Sequence, residues 1–194
     1  MPVTTIHLLV ADKVKPNGSA LFYVGNCAPD AVPDYRVKDK LHFRNQDRQT
    51  ALANLAKETV GEFAEGMLLH LFVDWKWDSN LLGKYIAETD ENWFASYRVE
   101  KDHLASYYYH NMAQMRQVFD NMMAVDSDSY GTTPGASATD IKNFIERNHK
   151  WHCENVLGAS QAFPPDVVEH FVTQTAQEYI AWRIRCREQI ASRS

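Results

Sequence analysis

Apolar positions along this chain recur mostly at three- and four-residue steps, the spacing that gathers side chains on one face of an α-helix. Ile6, Leu9, Val10 and Val14 form the first series, with Thr4 or Thr5 available as N-cap and Asn17-Gly18 as the stop. Residues 20–25 are a short apolar piece that reads as one or two helical turns or a brief strand. Residues 26–46 read as loop, because Pro29, Asp30, Pro33 and Asp34 interrupt regular structure and alternating charges follow.

From Asp47 to about Tyr85 the helical pattern returns, split into two helices near Thr59-Val60-Gly61. A third helical region spans about Asp90 to Val125, and residues 126–137 read as a surface loop. Helix resumes with Thr139 capping Asp140 onward, to Leu157. Pro164-Pro165-Asp166 opens the last helix, which is expected to end in Arg183, Arg185 and Arg187, cations suited to a helix C-terminus. Strand signals are nearly absent, so the pattern predicts an all-α, single-domain multi-helix bundle over 1–194.

Composition narrows the function classes. Of 194 residues, 45% are hydrophobic and 23% charged, as in a globular chain. Twenty Lys and Arg against 25 Asp and Glu leave a formal charge of −5, which argues against a protein that coats nucleic acid or an anionic membrane. Cys27, Cys153 and Cys186 are an odd number without a close pairing motif, so a reducing compartment is expected. The N-terminus lacks a basic region followed by a long apolar one, and 67–73, the most apolar stretch, is too short to span a bilayer. The cytoplasm is the expected location. The methionines Met112, Met115, Met122 and Met123 offer either core or the seam of a homodimer.

Eight histidines are many for this length, and their positions matter more than their number. His70 and Asp74 are spaced i, i+4 on a helix whose apolar face also carries Phe63, Met67 and Leu71. A carboxylate on such a face needs a cation, metal or hydrogen-bond donor. Gly66, one turn earlier, leaves room for another backbone or a ligand. His7 lies between Ile6 and Leu9, Asp30 follows Pro29 in a turn, and His42 stands between Leu41 and Phe43. Each has an ordinary structural explanation alone: Asp30 as a turn former, His42 as a loop anchor, His70 as a satisfied core histidine. Together they form the order His, Asp, His, His-x-x-x-Asp. His149 and His152, beside Cys153 and Glu154, read as a helix surface near Trp151, and His103 and His170 as exposed. Trp75, Trp77 and Trp93 read as core before pocket lining.

These residues carry a resemblance. From His7 to about Tyr85 the chain resembles the zinc-dependent phospholipase C family, related to a superfamily of single-strand nucleases. The matching pieces are Thr5-Ile6-His7-Leu8-Leu9-Val10, Phe22-Tyr23-Val24-Gly25-Asn26-Cys27-Ala28-Pro29-Asp30, Lys40-Leu41-His42-Phe43, and Gly66-Met67-Leu68-Leu69-His70-Leu71-Phe72-Val73-Asp74-Trp75. The resemblance implies a helical bundle in which Asp30, His42, His70 and Asp74 surround one Zn²⁺. It also implies that Asp74 bridges to a second metal held with His7, and that Asp30 is a candidate general base. Two ions about 3.5–4 Å apart would clamp a phosphate and activate water. The family draws further ligands from a processed N-terminal residue and from a downstream His-x-x-x-Glu helix. Here the chain begins at Met1 and the downstream match is only His110-x-x-x-Gln114, so His110 is a candidate second-site ligand and one ion or two, and no more, are expected.

The expected function is a metal-dependent phosphoesterase acting on a small phosphodiester or phosphomonoester, with zinc or another divalent transition metal. No Lys-rich amphipathic helix marks it for a membrane surface. The helical His-Asp nucleotide phosphohydrolases fit less well, since their adjacent His-Asp dipeptide is absent. A different class remains open: a non-catalytic helical protein with a structural metal or none, acting by partner binding.

Overall fold

A computed structural model describes residues 2–89 and 91–191 of the chain. Ten α-helices form among the described residues and no strand does: α1 Thr4–Val14, α2 Ala20–Cys27, α3 Tyr35–Leu41, α4 Arg48–Glu58, α5 Glu62–Trp77, α6 Gly83–Glu88, α7 Trp93–Asn111, α8 Ala113–Met123, α9 Ala138–Glu154 and α10 Pro165–Ala191. The all-α expectation holds. The described residues include no helix long and apolar enough to cross a membrane.

Two helices sit at the centre. Every residue of α1 from Thr4 to Ala11 is buried, as is α5 from Gly66 to Asp74. A helix apolar all round must be covered on all sides, and α2, α4, α7 and α10 supply that cover. One apolar core runs from Ile6 to Cys186.

Several boundaries differ from the sequence reading. Thr4 and Thr5 lie inside α1, whose N-cap is Val3 without a side-chain bond. Residues 20–25 are helix, because Ser19 caps α2 by accepting from the Phe22 N–H at 3.2 Å. The loop expected at 26–46 contains a 3-10 turn, Ala28–Ala31, and the whole of α3. Asp34 starts α3 by accepting from the Arg36 N–H, and Lys38 and Lys40 in the last turn complement its dipole. Gly61, at φ 84°, divides α4 from α5 as expected, and α5 runs on through a π-turn, Asp78–Leu82, into α6.

The third helical region is broken at Met112, whose extended backbone separates α7 from α8; its expected start, Asp90, lies outside the described residues. Ser137, not Thr139, caps α9 in a reciprocal capping box with Asp140. The last helix continues beyond its arginines to Ala191. Arg183 and Arg187 are one turn apart and both meet Glu65, with Arg183 Nη2 at 2.9 Å and Arg187 Nη2 at 3.6 Å. Arg183 also donates to the Ala56 carbonyl at 2.8 Å, so α10 is tied to α4 and α5 rather than tipped with free cations. Met115 and Met122 are fully buried in the chain's own core, and the partly buried Met112 and Met123 pack against it.

Candidate metal centre

The site is built on the contact of α2 with α5. Gly25 and Gly66 face each other so closely that a Cβ on Gly66 would stand 2.1 Å from the Phe22 carbonyl oxygen, and one on Gly25 2.0 Å from that of Phe63. The room left by Gly66 is therefore taken by another backbone. Across this contact Asn26 donates its side-chain amide to the Gly66 carbonyl at 3.2 Å. In return, the Asn26 carbonyl accepts from His70 Nδ1 at 2.7 Å.

His42, just past the end of α3, is fixed the same way: its Nδ1 lies 2.7 Å from the Lys38 carbonyl. A carbonyl only accepts, so both rings carry their proton on Nδ1 and, when neutral, turn a bare Nε2 lone pair inward. His70 is neutral at ordinary pH, because burial and the neighbouring His7 push its pKa down to about 3. The two Nε2 atoms nevertheless lie 3.2 Å apart.

Carboxylates complete the group. Asp74 Oδ2 is 3.3 Å from His42 Nε2 and 3.8 Å from His70 Nε2; Asp30 Oδ1 is 3.7 Å and 4.0 Å from the same two atoms. Donors about 2.0–2.1 Å from a tetrahedral ion stand about 3.3–3.4 Å from one another. These separations are near that value, slightly relaxed. The other Asp74 oxygen, Oδ1, faces His7 Nε2 at 3.3 Å, and the His7 ring stacks on His70 at 3.8 Å and 7°. Asp74 thus turns one oxygen to each side.

Burial pushes the Asp74 carboxyl upward, yet the His7 and His70 imidazoles hold it well below the usual carboxylate range. Asp30 is likewise held low against its burial by His70 and Lys38, whose Nζ is 2.7 Å from Oδ1. Among the described residues neither Asp74 oxygen nor either His7 nitrogen completes a hydrogen bond.

Facing lone pairs on buried nitrogens, ringed by ionised carboxylates, make a group that could hold a cation. A proton serves one pair of atoms; a metal ion serves all of them. Two groups of side chains have ligand atoms mutually close enough for one ion: Asp30, His42 and His70, and His7, His70 and Asp74. The donors fit a divalent ion in number, type and spacing.

The structure therefore brings together His7, Asp30, His42, His70 and Asp74. It does not bring in His110. That ring sits between α7 and the end of α9, its Nε2 shared by the carbonyls of His152 and Asn155 at 2.9 and 3.1 Å, which makes that nitrogen a donor rather than a ligand. Met1, where the implied N-terminal ligand falls, lies outside the described residues. His152, read as surface, is 1% exposed and stacks on Tyr109 at 4.7 Å. Trp77 is core against Phe163 and Phe171. Two residues beside the cluster, Lys38 and Lys101, carried no sequence signal beyond positive charge on polar helix positions. No family model, curated protein or solved structure matches the chain.

Proposed function

We propose that this protein is a metal-dependent phosphoesterase that hydrolyses a small phosphodiester or phosphomonoester. The observation that carries the reading is the pair of Nε2 atoms, which the carbonyl bonds leave bare in the neutral rings, facing each other within a ring of carboxylates. The resemblance of residues 7–85 to the zinc-dependent phospholipase C family points the same way. Zinc suits two imidazoles and two carboxylates, and other divalent transition metals can serve the same donors.

His42, His70, Asp30 and Asp74 would hold one ion, and His7 with the second oxygen of Asp74 would contribute to a second. Bound there, the metal supplies Lewis-acid chemistry: it neutralises phosphoryl oxygens and brings the pKa of a water to about 7. The chain's own groups do the rest. The carbonyls of Lys38 and Asn26 hold the imidazoles in their ligand tautomer. The apolar shell of α1 and α5 excludes bulk water. Asp30, the donor with most exposure, 10% at its side chain, is positioned to take a proton from an attacking water and pass it outward.

The competing reading is a structural ion in a protein that works by binding a partner. Near-complete burial of His7, His42, His70 and Asp74 favours it, whereas the opening at Asp30 favours catalysis. Metal analysis of protein purified without a histidine tag, together with hydrolysis of p-nitrophenyl phosphate and bis-p-nitrophenyl phosphate, separates them. We expect bound zinc, manganese or iron, and a loss of roughly 100-fold or more in both metal affinity and hydrolysis for Asp74→Ala. Equal rates for wild type and variant would overturn the catalytic reading. A chain without metal, whose melting ignores chelator, would overturn the metal centre itself.

A further inference from the structure

We propose that Lys38 and Lys101 form the phosphate-binding wall of this centre and that they select a dianionic phosphomonoester over a monoanionic phosphodiester. The inference rests on the phosphoesterase reading above and deepens it by naming the charge class of the substrate.

A cavity of about 360 Å³ adjoins the cluster, and Asp30 is the cluster residue that borders it. Lys38 and Lys101 border the same space from α3 and α7, with Phe144, Trp151 and His152 of α9 opposite. Of the two lysines, Lys38 is in contact with the cluster and Lys101 borders the same cavity. Lys38 Nζ is 2.7 Å from Asp30 Oδ1 and donates to the Asp30 carbonyl at 3.1 Å. Lys101 Nζ lies over the Tyr97 ring at 5.8 Å. Burial lowers the Lys101 pKa while the charges of Asp30 and Asp74 oppose that shift, so its ammonium is half-buried within reach of the cluster's field.

The charges then decide the ligand. Before a metal binds, Lys38 pairs with Asp30, and Lys101 stands in the field of Asp30 and Asp74. A divalent ion takes over the charge of those carboxylates, and the charge of the two ammonium groups then stands uncompensated beside a part-buried cavity, although Lys38 keeps the Asp30 carbonyl and Lys101 the Tyr97 ring. Uncompensated charge in such a place is costly, and a single dianion relieves it. A phosphomonoester carries about −1.5 to −2 at neutral pH; a phosphodiester carries a single charge and leaves one lysine unmet. The remaining carboxylate on the cavity wall, Asp102, is exposed, where water and salt screen it. The apolar surfaces of Ala105, Phe144 and Trp151 are left for the alcohol portion of the ester.

The test is calorimetric titration of inorganic phosphate and of dimethyl phosphate into metal-loaded protein, with metal content measured in the same samples. Wild type should bind inorganic phosphate at least about tenfold more tightly than dimethyl phosphate, and Lys101→Met should erase about tenfold of phosphate affinity with metal content unchanged. Lys101→Arg should restore it, which a mere folding defect would not allow. Hydrolysis should follow: Lys101→Met raises KM for p-nitrophenyl phosphate by about tenfold, and by clearly less for bis-p-nitrophenyl phosphate. Metal-loaded protein that binds the two phosphates equally, or whose phosphate affinity ignores both lysines, overturns this proposal alone. A chain that takes up no metal overturns the phosphoesterase reading together with it.

Discussion

Neither ring nitrogen of His152 meets a partner among the described residues, although only 1% of the residue is exposed. Burial, with His110 and His149 nearby, pushes its pKa down to about 4 from 6.5. The unfolded chain therefore takes up this proton first. Its contribution to stability is intact above pH 6.5 and is lost as pH falls towards 4, at about 1.4 kcal/mol per pH unit. His152→Phe keeps the stack on Tyr109 and removes the titration. Relative to wild type the variant should gain about 2 kcal/mol between pH 6.5 and about pH 5, read by urea unfolding; parallel pH profiles would show that His152 is not the sensor. Residues on the central helices were legible in the sequence, because an i, i+4 pair of His70 and Asp74 within an apolar run has few places to point. His152 was not. Its neighbours Lys150, Cys153 and Glu154 are polar, and the ring that buries it comes from α7, far away in sequence.

Helix packing sets the geometry that the imidazoles inherit. Gly66 permits α2 and α5 to touch backbone to backbone, and the His70–Asn26 bond crosses that contact one turn further on. Gly66→Ala must force the helices apart, at a cost of about 3 kcal/mol or more. It should also weaken metal binding, because the Asn26 carbonyl moves away from His70. Leu52→Ala, in the buried face of α4, should cost about 2–5 kcal/mol yet leave metal affinity intact. Equilibrium unfolding and metal titration of both variants test this; equal metal affinities would detach the helix contact from the site. At this scale the sequence was read well where burial is one-sided or complete. It was misread at α3, none of whose residues is buried, so no apolar period marks it and only Asp34 announces its start. The misreading mattered, because α3 carries both Lys38 and the carbonyl that orients His42.

Across the whole molecule the absence of strand patterning foretold an all-α chain, and no long-range information was needed for that. Which helices meet was beyond the pattern, and the cluster depends on it: its donors come from α1, the 3-10 turn, the end of α3 and α5. Metal binding at such a junction couples to global stability, since the unfolded chain has no such site. An ion present at about a thousand times its Kd contributes about 4 kcal/mol. For a chain of 194 residues, each kcal/mol moves Tm by about 2–4 °C. Chelation should therefore lower Tm by about 8–16 °C in calorimetry, and readdition of zinc should restore it. An unchanged Tm would place the ion, if bound, outside the folded core.

The atoms that orient His42 and His70 are main-chain oxygens, and this sets what mutation can and cannot reach. A side-chain partner can be exchanged by one codon change; a peptide carbonyl persists through every replacement that keeps the helix. The inward aim of the two imidazoles is thus insulated from side-chain drift at positions 38 and 26, and the side chain at 38 can change while the residue after α3 keeps its bearing. Evolution, or a designer, can retune the mouth of this cavity without rebuilding its floor.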